Sequence, residues 1–294
     1  MKPYEWMTTY TPQVEWIEKK GIFTPLAFYL GSLGGGLYLV SLYFNSLLGI
    51  LVAWLIVGVL KGGSHLIDLG QPFRSWRMVL KPQSSWISRG LILAILFLGL
   101  VVLQMFFSYF LPGTTWEDIF KVLAVLVALG ICAYPGFTLN YVNAISLWNS
   151  AMLPLLFIAC GLLGGFAILQ IIGVLGGNVD LIGIEFGSLI LLFITAIFII
   201  TYTWSVSYSG PYGKTALKEL LKGKVSPAFW LGVVLLGIVM PFAIALLSYK
   251  GMQVSKMVLF VGAVGKIICG LSLTYAVLKS GGYRPLIPLS SEEI

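Results

Sequence analysis

Histidine and cysteine are scarce in this sequence, and their scarcity argues against several kinds of redox centre. The chain of 294 residues contains one histidine, His65, and three cysteines, Cys132, Cys160 and Cys269. A haem b held by two histidines therefore cannot be built within the chain. The cysteines fall on three different predicted helices, without a C-x-x-C pair or a cysteine–histidine cluster, so iron–sulfur and other metal sites are not supported. We expect three buried packing thiols.

Sequence motifs for bond-breaking chemistry are also missing. The sequence contains no Walker motif, no Ser/His/Asp arrangement and no dinucleotide fingerprint in a strand–turn–helix context. The glycine-rich stretch "GSLGGG", residues 31–36, lies inside a long apolar run rather than in a loop. The sequence therefore shows no means of breaking a bond by itself.

Charged residues make up only 10% of the chain, whereas hydrophobic residues make up 59%. Soluble domains are about 45–50% apolar, so the composition indicates an integral protein of a lipid bilayer, and we assign it to the cell membrane. Runs of roughly 20 apolar residues span a bilayer as helices. These runs do not alternate as barrel strands would, so we predict an all-α membrane protein. The eight transmembrane helices are predicted at 25–45, 48–68, 86–110, 117–139, 147–175, 182–206, 227–249 and 256–279.

We predict four regions along the chain. A polar leader, 1–24, contains a short interfacial helix that begins at Thr11 and ends at Gly21. Two four-helix bundles follow at 25–140 and 141–280, and a tail occupies 281–294. The bundles are suggested by "PLAFYLGSLGGGLYL" in helix 1 and "PLLFIACGLLGGFAIL" in helix 5. This similarity indicates either a parallel repeat or small residues that let membrane helices approach closely.

The positive charge is distributed unevenly across the predicted membrane. The N-terminus, the regions after helices 2 and 6, and the C-terminus carry 3, 4, 4 and 2 Lys/Arg residues, 13 in all, whereas the opposite loops carry 3. The other two, Lys61 and Lys266, lie inside predicted helices. The positive-inside rule therefore predicts that both termini and the helix 2–3 loop are cytoplasmic. Since the positive charge is confined to membrane-flanking loops, the net charge of +7 does not indicate nucleic-acid binding.

Three ionisable residues share one face of helix 2. Lys61, His65 and Asp68 are spaced i, i+4 and i+7, which places them within a narrow arc. An ionisable group in hydrocarbon costs about 2.5–3.5 kcal/mol on insertion scales, so these groups must face the protein interior or a wet cavity. Two interpretations remain open. Lys61 and Asp68 pair internally with His65 filling the space between them, or the three residues bind a ligand or move protons.

Further polar residues lie on the same predicted membrane side. Helix 2 is followed by "DLGQPFRSWR", whose Arg74 and Arg77 meet either lipid headgroups or a docking partner. Helix 4 leads into "CAYPGFTLNYVNAISLWNS", which supplies Tyr134, Trp148 and Asn149. Together with the face of helix 2, these residues suit a cavity for a redox-active ring that exchanges protons along with electrons.

The second half of the sequence contains three buried polar candidates. Glu185 enters helix 6, Tyr202 lies near the end of that helix, and Lys266 falls in the middle of helix 8. We expect either structural pairing, with Glu185 as partner of Lys266, or a proton path through the three residues.

Three long segments are distinctive: "HLIDLGQPFRSWRMVLKPQSSWISRG" (65–90), "YPGFTLNYVNAISLWNSAMLPLLFIACGLLGG" (134–165) and "GKVSPAFWLGVVLLGIVMP" (223–241). They resemble hallmark segments of the NrfD/PsrC family, the polysulfide-reductase-type membrane subunits, and the resemblance runs from about residue 25 to 280. It implies a quinone-reactive subunit of a respiratory complex, using menaquinone and holding no haem, iron–sulfur cluster or metal. It also implies two partners, a four-cluster iron–sulfur subunit and a molybdopterin catalytic subunit.

The resemblance assigns roles to four residues. Asp68, Arg74 and Arg77 match the D-L-G-x-P-x-R-x-W-R motif, and Tyr134 matches the tyrosine of a Y-x-G-F motif. The quinone site of the family lies among the first four helices. We therefore predict that Asp68, His65 and Tyr134 carry the quinol chemistry. The predicted quinone-binding residues are Tyr29, Lys61, Arg74, Arg77, Trp148 and Asn149, and the predicted docking residues are Arg74, Arg77, Lys81 and Arg89.

Two features depart from the family pattern. Members often end helix 8 with an L-R-Y-like motif, whereas this protein has Thr274 there and Lys266 two turns earlier. The partners of the family commonly face outward, whereas the charge distribution places the docking loop inside, and we follow the charge distribution. Two other functions stay open: a secondary transporter, suggested by buried Lys266 and Glu185 and the possible repeat, and a passive anchor that binds no quinone.

Overall fold

The computed structural model describes residues 7, 10–14, 16–69, 71–250 and 254–287. Within that part of the protein, eight helices are long and apolar enough to cross a membrane, and the only strands are two short ones. The protein is therefore an all-α membrane protein, as predicted.

The helices are labelled in sequence order. Seven of the predicted spans begin and end within a few residues of the observed helices, and the fifth begins at residue 152 rather than 147 because residues 141–151 fold as successive turns. A further amphipathic helix, α7, was not predicted, although Gly210-Pro211 is a typical helix start. The bounds are α1 Phe23–Tyr43, α2 Leu47–Asp68, α3 Trp86–Phe110, α4 Thr115–Asn140, α5 Met152–Val174, α6 Leu181–Ser207, α7 Pro211–Lys222, α8 Ala228–Ser248 and α9 Lys256–Lys279.

Short polar side chains begin several of these helices. The Ser46 hydroxyl accepts a hydrogen bond from the Gly49 amide at the start of α2, and Ser85 accepts one from the Ser88 amide at the start of α3. Such caps pair backbone N–H groups that have no partner within the helix. At the turn between α1 and α2, Asn45 adopts a positive φ of 51°, a conformation that asparagine tolerates.

Two of the spanning helices contain wide π-helical segments, Ile56–Lys61 in α2 and Ala228–Val239 in α8. A π-helical turn shifts the face on which the following residues lie, and such turns are frequent at functional sites. The segment in α2 ends at Lys61, and regular α-helix continues over Gly62–Asp68. Lys61, His65 and Asp68 therefore lie on one face of α2, as their i, i+4 and i+7 spacing predicts for a regular α-helix.

Helix α1 packs against α2, α4, α5 and α9, and its contact with α5 depends on glycine. A Cβ atom added to Gly36 would overlap the Gly161 carbonyl, and one added to Gly165 would lie 2.7 Å from the Gly36 carbonyl. The small residues common to both helices therefore permit close approach of the backbones, one of the two interpretations of their similarity. The parallel repeat stays a prediction.

The buried apolar residues form two clusters. One is built mainly from α1 to α4 and includes Leu37, Ala53, Phe97 and Ala128. The other is built mainly from the second half of the protein, but it also includes Tyr134 of α4. The division into bundles at residues 140 and 141 stays a prediction.

A cap of non-membrane segments covers one end of the helices. Strand β1, Thr11–Pro12, pairs antiparallel with strand β2, Gly282–Tyr283. The Arg284 Nε donates a hydrogen bond to the Ser146 hydroxyl at 2.6 Å, which ties the tail to the loop after α4. Tyr10 stacks on Tyr212 of α7, and burial together with the nearby Glu219 carboxylate raises the pKa of Tyr10 to about 12.

The predicted interfacial helix from Thr11 to Gly21 is wrong. Thr11 and Pro12 form β1, and among the described residues from 11 to 22 helical structure begins with the 3-10 turn Lys19–Ile22. The backbone of the leader pairs with the tail instead, as shown by the Gln13 N–H, which donates to the Gly281 carbonyl at 2.9 Å. This long-range pairing outweighs the local helix signals.

The glycine contact between α1 and α5 predicts an asymmetry between two identical substitutions. We expect Gly36→Ala to lower the free energy of unfolding by about 1–3 kcal/mol, because the new methyl group would overlap the α5 backbone. Gly99→Ala is the matched control, since a Cβ there meets no atom within 4 Å. Thermal unfolding of the detergent-solubilised variants measures both, and equal stability of the two variants would contradict the packing described.

Candidate functional site

Two cavities lie side by side at the capped end of α2. The inner cavity, about 370 Å³, lies between α2 and α3, and Tyr134 of α4 reaches into it. The outer cavity, about 350 Å³, is lined by Trp16, Thr24, Phe28 and Asp68 among others. His65, Leu69, Met78 and Ile87 line both cavities. His65 is therefore the titratable side chain that stands between them.

Lys61, His65 and Tyr134 form the polar group of the inner cavity. The Lys61 side chain is buried, with 3% of the residue exposed, and its Nζ lies 5.1 Å from the centroid of the Tyr134 ring. The Nε2 atom of His65 lies 3.4 Å from the Tyr134 hydroxyl oxygen. The remaining walls are largely apolar, with Val57, Leu98 and others. The cavity thus presents three hydrogen-bonding groups against a hydrophobic wall.

Asp68 is engaged elsewhere, in the outer cavity. Its carboxylate accepts a hydrogen bond from the Thr24 hydroxyl at 3.0 Å. Among the residues described, no carboxylate lies within 4 Å of the Lys61 ammonium nitrogen. The predicted alternative, an internal Lys61–Asp68 ion pair with His65 between them, is therefore wrong. The contact with the face of the Tyr134 ring is the electrostatic compensation observed for Lys61.

Small residues on neighbouring helices make room for this polar group. A Cβ atom at Gly31 of α1 would lie 2.9 Å from Lys61 Cε, and one at Gly90 of α3 would overlap the Tyr134 ring. Phe28 packs edge-on against both aromatic groups, with centroids 6.4 Å from His65 and 6.0 Å from Tyr134. Helices α1 and α3 therefore hold the side chains that α2 and α4 supply.

The connection between α2 and α3 closes the top of both cavities. Its 3-10 helix, Pro72–Leu80, places Trp76 and Val79 on the inner cavity and Met78 on both. The predicted docking residues Arg74, Arg77 and Lys81 are exposed there, and Arg77 lies over the Trp76 ring at 5.6 Å. The charged outer face and the cavity wall therefore belong to one short segment.

Arg89 differs from the other predicted docking residues. Its guanidinium donates hydrogen bonds to the carbonyl oxygens of Pro82 and Gln83 at 2.8 and 2.9 Å and stacks over the Trp86 ring at 4.4 Å. These contacts bind residues 82–86 to the start of α3. Arg89 therefore stabilises the end of the α2–α3 connection.

Five of the six predicted quinone-binding residues line neither cavity. Arg74 and Arg77 lie on the exposed face of the α2–α3 connection. Tyr29 is 2% exposed and packs against Gly164 of α5 and Gly270 of α9. Trp148 is fully buried, and its Nε1 donates to the Val277 carbonyl at 2.9 Å. Asn149 is exposed. The loop around Trp148 therefore acts as a packing element between α4 and α5.

Of the three polar candidates in the second half of the protein, Glu185 and Lys266 lie close together and Tyr202 lies apart. Lys266 lies 3.8 Å from the Glu185 carboxylate and donates a hydrogen bond to Gln170 Oε1 at 2.7 Å. Tyr202 is 17 residues further along α6, about 25 Å by helical rise, and donates to the Leu147 carbonyl. Glu185 and Lys266 thus form the expected pair, whereas Tyr202 anchors the loop before α5. Neither member of the pair lines the inner or the outer cavity.

The cysteines behave as predicted, since Cys132, Cys160 and Cys269 are buried free thiols. Within the described ranges, no cluster of three His, Cys, Asp or Glu side chains is suited to a metal ion.

Sequence reasoning missed the residues that shape the site rather than carry its chemistry. Thr24 bonds Asp68, and Phe28 packs on two of the three inner-cavity groups. A polar residue at the start of helix 1, on the same membrane side as Asp68, was the available signal for Thr24. No sequence signal pointed to Gly31 or Gly90, because their role depends on side chains from other helices that lie next to them in the folded protein.

Comparisons with known proteins agree with this architecture. The sequence model of the family described as "Polysulphide reductase, NrfD" matches residues 22–285. The C subunit of polysulfide reductase from Wolinella succinogenes is 26% identical over 262 residues, covering 79% of this protein and 82% of that subunit. The protein NrfD homolog of Haemophilus influenzae is 24% identical over 320 residues, covering 92% of this protein and 96% of that one.

The contacts of Arg89 predict that its removal loosens the α2–α3 connection. We expect Arg89→Ala to increase the rate of proteinase K cleavage within residues 81–86 several-fold, because two charge-assisted hydrogen bonds of about 1.5–3 kcal/mol each are lost. Lys81→Ala is the control, since it removes a positive charge from the same loop at an exposed position. Equal cleavage rates in the two variants would show that Arg89 does not hold the loop.

Proposed function

Because the chain belongs to the polysulphide reductase NrfD family, we propose that this membrane subunit of a reductase complex is its quinone-reactive component. It would exchange electrons between menaquinol or menaquinone in the bilayer and an iron–sulfur subunit. The observation that carries this proposal is the inner cavity with Lys61, His65 and Tyr134 at its polar end. The name of the Wolinella relative, one lettered subunit of a polysulfide reductase, supports an assembly with further subunits.

The chemistry of the inner cavity suits a quinone ring. Its volume of about 370 Å³ lies in the range of small-molecule sites, and a mostly apolar wall with a few convergent polar groups is typical of them. The Lys61 amine and the Tyr134 hydroxyl are hydrogen-bond donors, which suit the oxygen atoms of a quinone. His65 supplies a ring nitrogen that accepts or returns a proton.

The outer cavity suits the transfer of protons to and from the quinone site. Oxidation of a quinol releases two electrons and two protons, and the electrons would leave to a cluster of the iron–sulfur subunit. His65 borders both cavities, and Asp68 lies beyond it. We infer that His65 passes protons from the inner cavity towards Asp68, and that the direction reverses when quinone is reduced.

The α2–α3 connection is the proposed docking surface. Arg74, Arg77 and Lys81 are exposed there beside Phe73, which is 96% exposed. An iron–sulfur subunit bound here would lie directly over both cavities, and a molybdopterin catalytic subunit would bind to it in turn. A passive anchor would leave the inner cavity without a role. The Glu185–Lys266 pair that suggested a transporter lines neither cavity, and the Lys266 ammonium is held by Gln170 as well as by Glu185.

The proton role of Asp68 is testable in the assembled complex. We expect Asp68→Asn to lower quinol turnover about hundredfold, the usual range for loss of an acid–base group, while the iron–sulfur subunit stays bound. Asp118→Asn is the matched control, since Asp118 is exposed in the first turn of α4, at the opposite end of the helices. Unchanged quinol turnover in fully assembled Asp68→Asn would overturn the proposed role.

We further propose that the capped end of the helices faces the cytoplasm. The support is the excess of Lys and Arg at that end, 13 against 3, which the positive-inside rule assigns to the cytoplasmic side. The docking surface and the outer cavity would then release protons to, or take them from, the cytoplasm.

Single cysteines test this orientation. The native thiols are buried, so a membrane-impermeant maleimide should report mainly on introduced cysteines. With the protein expressed alone, we expect Lys81→Cys to be labelled in inverted vesicles but not in intact cells. Pro112→Cys, in the exposed loop after α3, should show the opposite pattern. Labelling of Lys81→Cys in intact cells would reverse the proposed orientation.

A further inference from the structure

We propose that the inner cavity opens sideways into the bilayer through a window between α2 and α3, and that the isoprenoid tail of the quinone lies in this window. This inference rests on the proposed function and adds the route by which the substrate arrives.

The lower edge of the window is defined by one contact between the two helices. The indole Nε1 of Trp54 on α2 donates a hydrogen bond to the Leu98 carbonyl of α3 at 3.1 Å. Towards the capped end, the space between the helices is occupied by the inner cavity. The upper edge is the 3-10 helix, where Trp76 and Val79 line the cavity.

The sides of the window consist of glycine and of lipid-exposed aliphatic residues. On α2, Gly58, Gly62 and Leu66 line the cavity, and on α3 Leu91 and Ile95 do so. Leu66 is 48% exposed and Ile95 is 54% exposed, so these residues face both the cavity and the outside of the bundle. A Cβ atom at Gly62 would meet nothing closer than 3.8 Å. The backbone of α2 therefore borders open space at this point.

The depth of the polar group favours a quinone tail over a phospholipid acyl tail as the occupant. Lys61 lies seven residues before the end of α2, about 10 Å below that end by helical rise. Its hydrogen-bonding partner would thus be at the level of acyl chains rather than of phosphate headgroups. A quinone carries its polar ring at one end of a wholly apolar tail, which matches a polar inner end and an apolar exit.

Leucine at Gly62 would fill the window, and leucine at Gly63 supplies a close control. Gly63 is the adjacent residue, lines neither the inner nor the outer cavity, and has no atom within 4 Å of an added Cβ, so leucine fits there too. Both substitutions place the same side chain on the same helix. They differ in whether that side chain points into the window.

The measurement is the ratio of turnover with a long-chain menaquinol in liposomes to turnover with a tail-less quinol analogue, using the assembled complex. We expect Gly62→Leu to lower this ratio about tenfold, because a clash of packed side chains opposes the tail and not the ring, and Gly63→Leu to leave it unchanged. A ratio in Gly62→Leu equal to that of wild type would overturn the window. Wild-type complex inactive with both quinols would instead refute the proposed function, and the window with it.

Mass spectrometry of organic extracts identifies the occupant independently of activity. We expect purified Gly62→Leu to retain less long-chain quinone per protein than Gly63→Leu, with equal phospholipid. Depletion of a phospholipid instead of quinone would assign the window to an acyl tail and overturn the proposal.

Discussion

The burial of Lys61 without a carboxylate partner is the constraint around which the first half of the molecule is organised. An amine at this depth in hydrocarbon costs about 2.5–3.5 kcal/mol even on lenient scales. The protein offsets that cost with the face of the Tyr134 ring and the polar end of the inner cavity rather than with an ion pair. Gly31 and Gly90 provide the space that Lys61 and Tyr134 occupy in this arrangement.

The position of His65 follows from the same arrangement. One helical turn after Lys61, its ring contacts the Tyr134 hydroxyl on one side, and it lines the cavity that contains Asp68 on the other. Asp68 is held by Thr24 of α1 and is thereby kept apart from Lys61. Lys61, His65 and Asp68 are thus separated along one helix face, and the proposed exchange of electrons and protons would use them in that order.

The cap and the glycine contacts pack around this arrangement. The leader and the tail pair as strands over the helix ends, Trp16 packs on Phe28 and Trp148, and the backbones of α1 and α5 approach through Gly36 and Gly161. Between α2 and α3, the inner cavity occupies the space above the Trp54–Leu98 hydrogen bond. The α2–α3 connection therefore combines a charged outer face with a wall of both cavities, and it borders the proposed opening to lipid.

The sequence by itself determined which segments span the membrane. Eight apolar runs predicted eight helices nearly to the residue, since hydrophobicity over a membrane thickness is a local property. The spacing of Lys61, His65 and Asp68 predicted one face of α2, and the motif around residues 65–90 indicated the family. Only the tertiary structure decided what that face meets. It set Lys61 on Tyr134 instead of Asp68, placed Trp148 and Tyr29 outside both cavities, and paired Thr11 with the tail. Each of these outcomes depends on contacts between residues far apart in the sequence, which local spacing does not encode, because packing between helices is decided by the shapes of all the side chains that meet there.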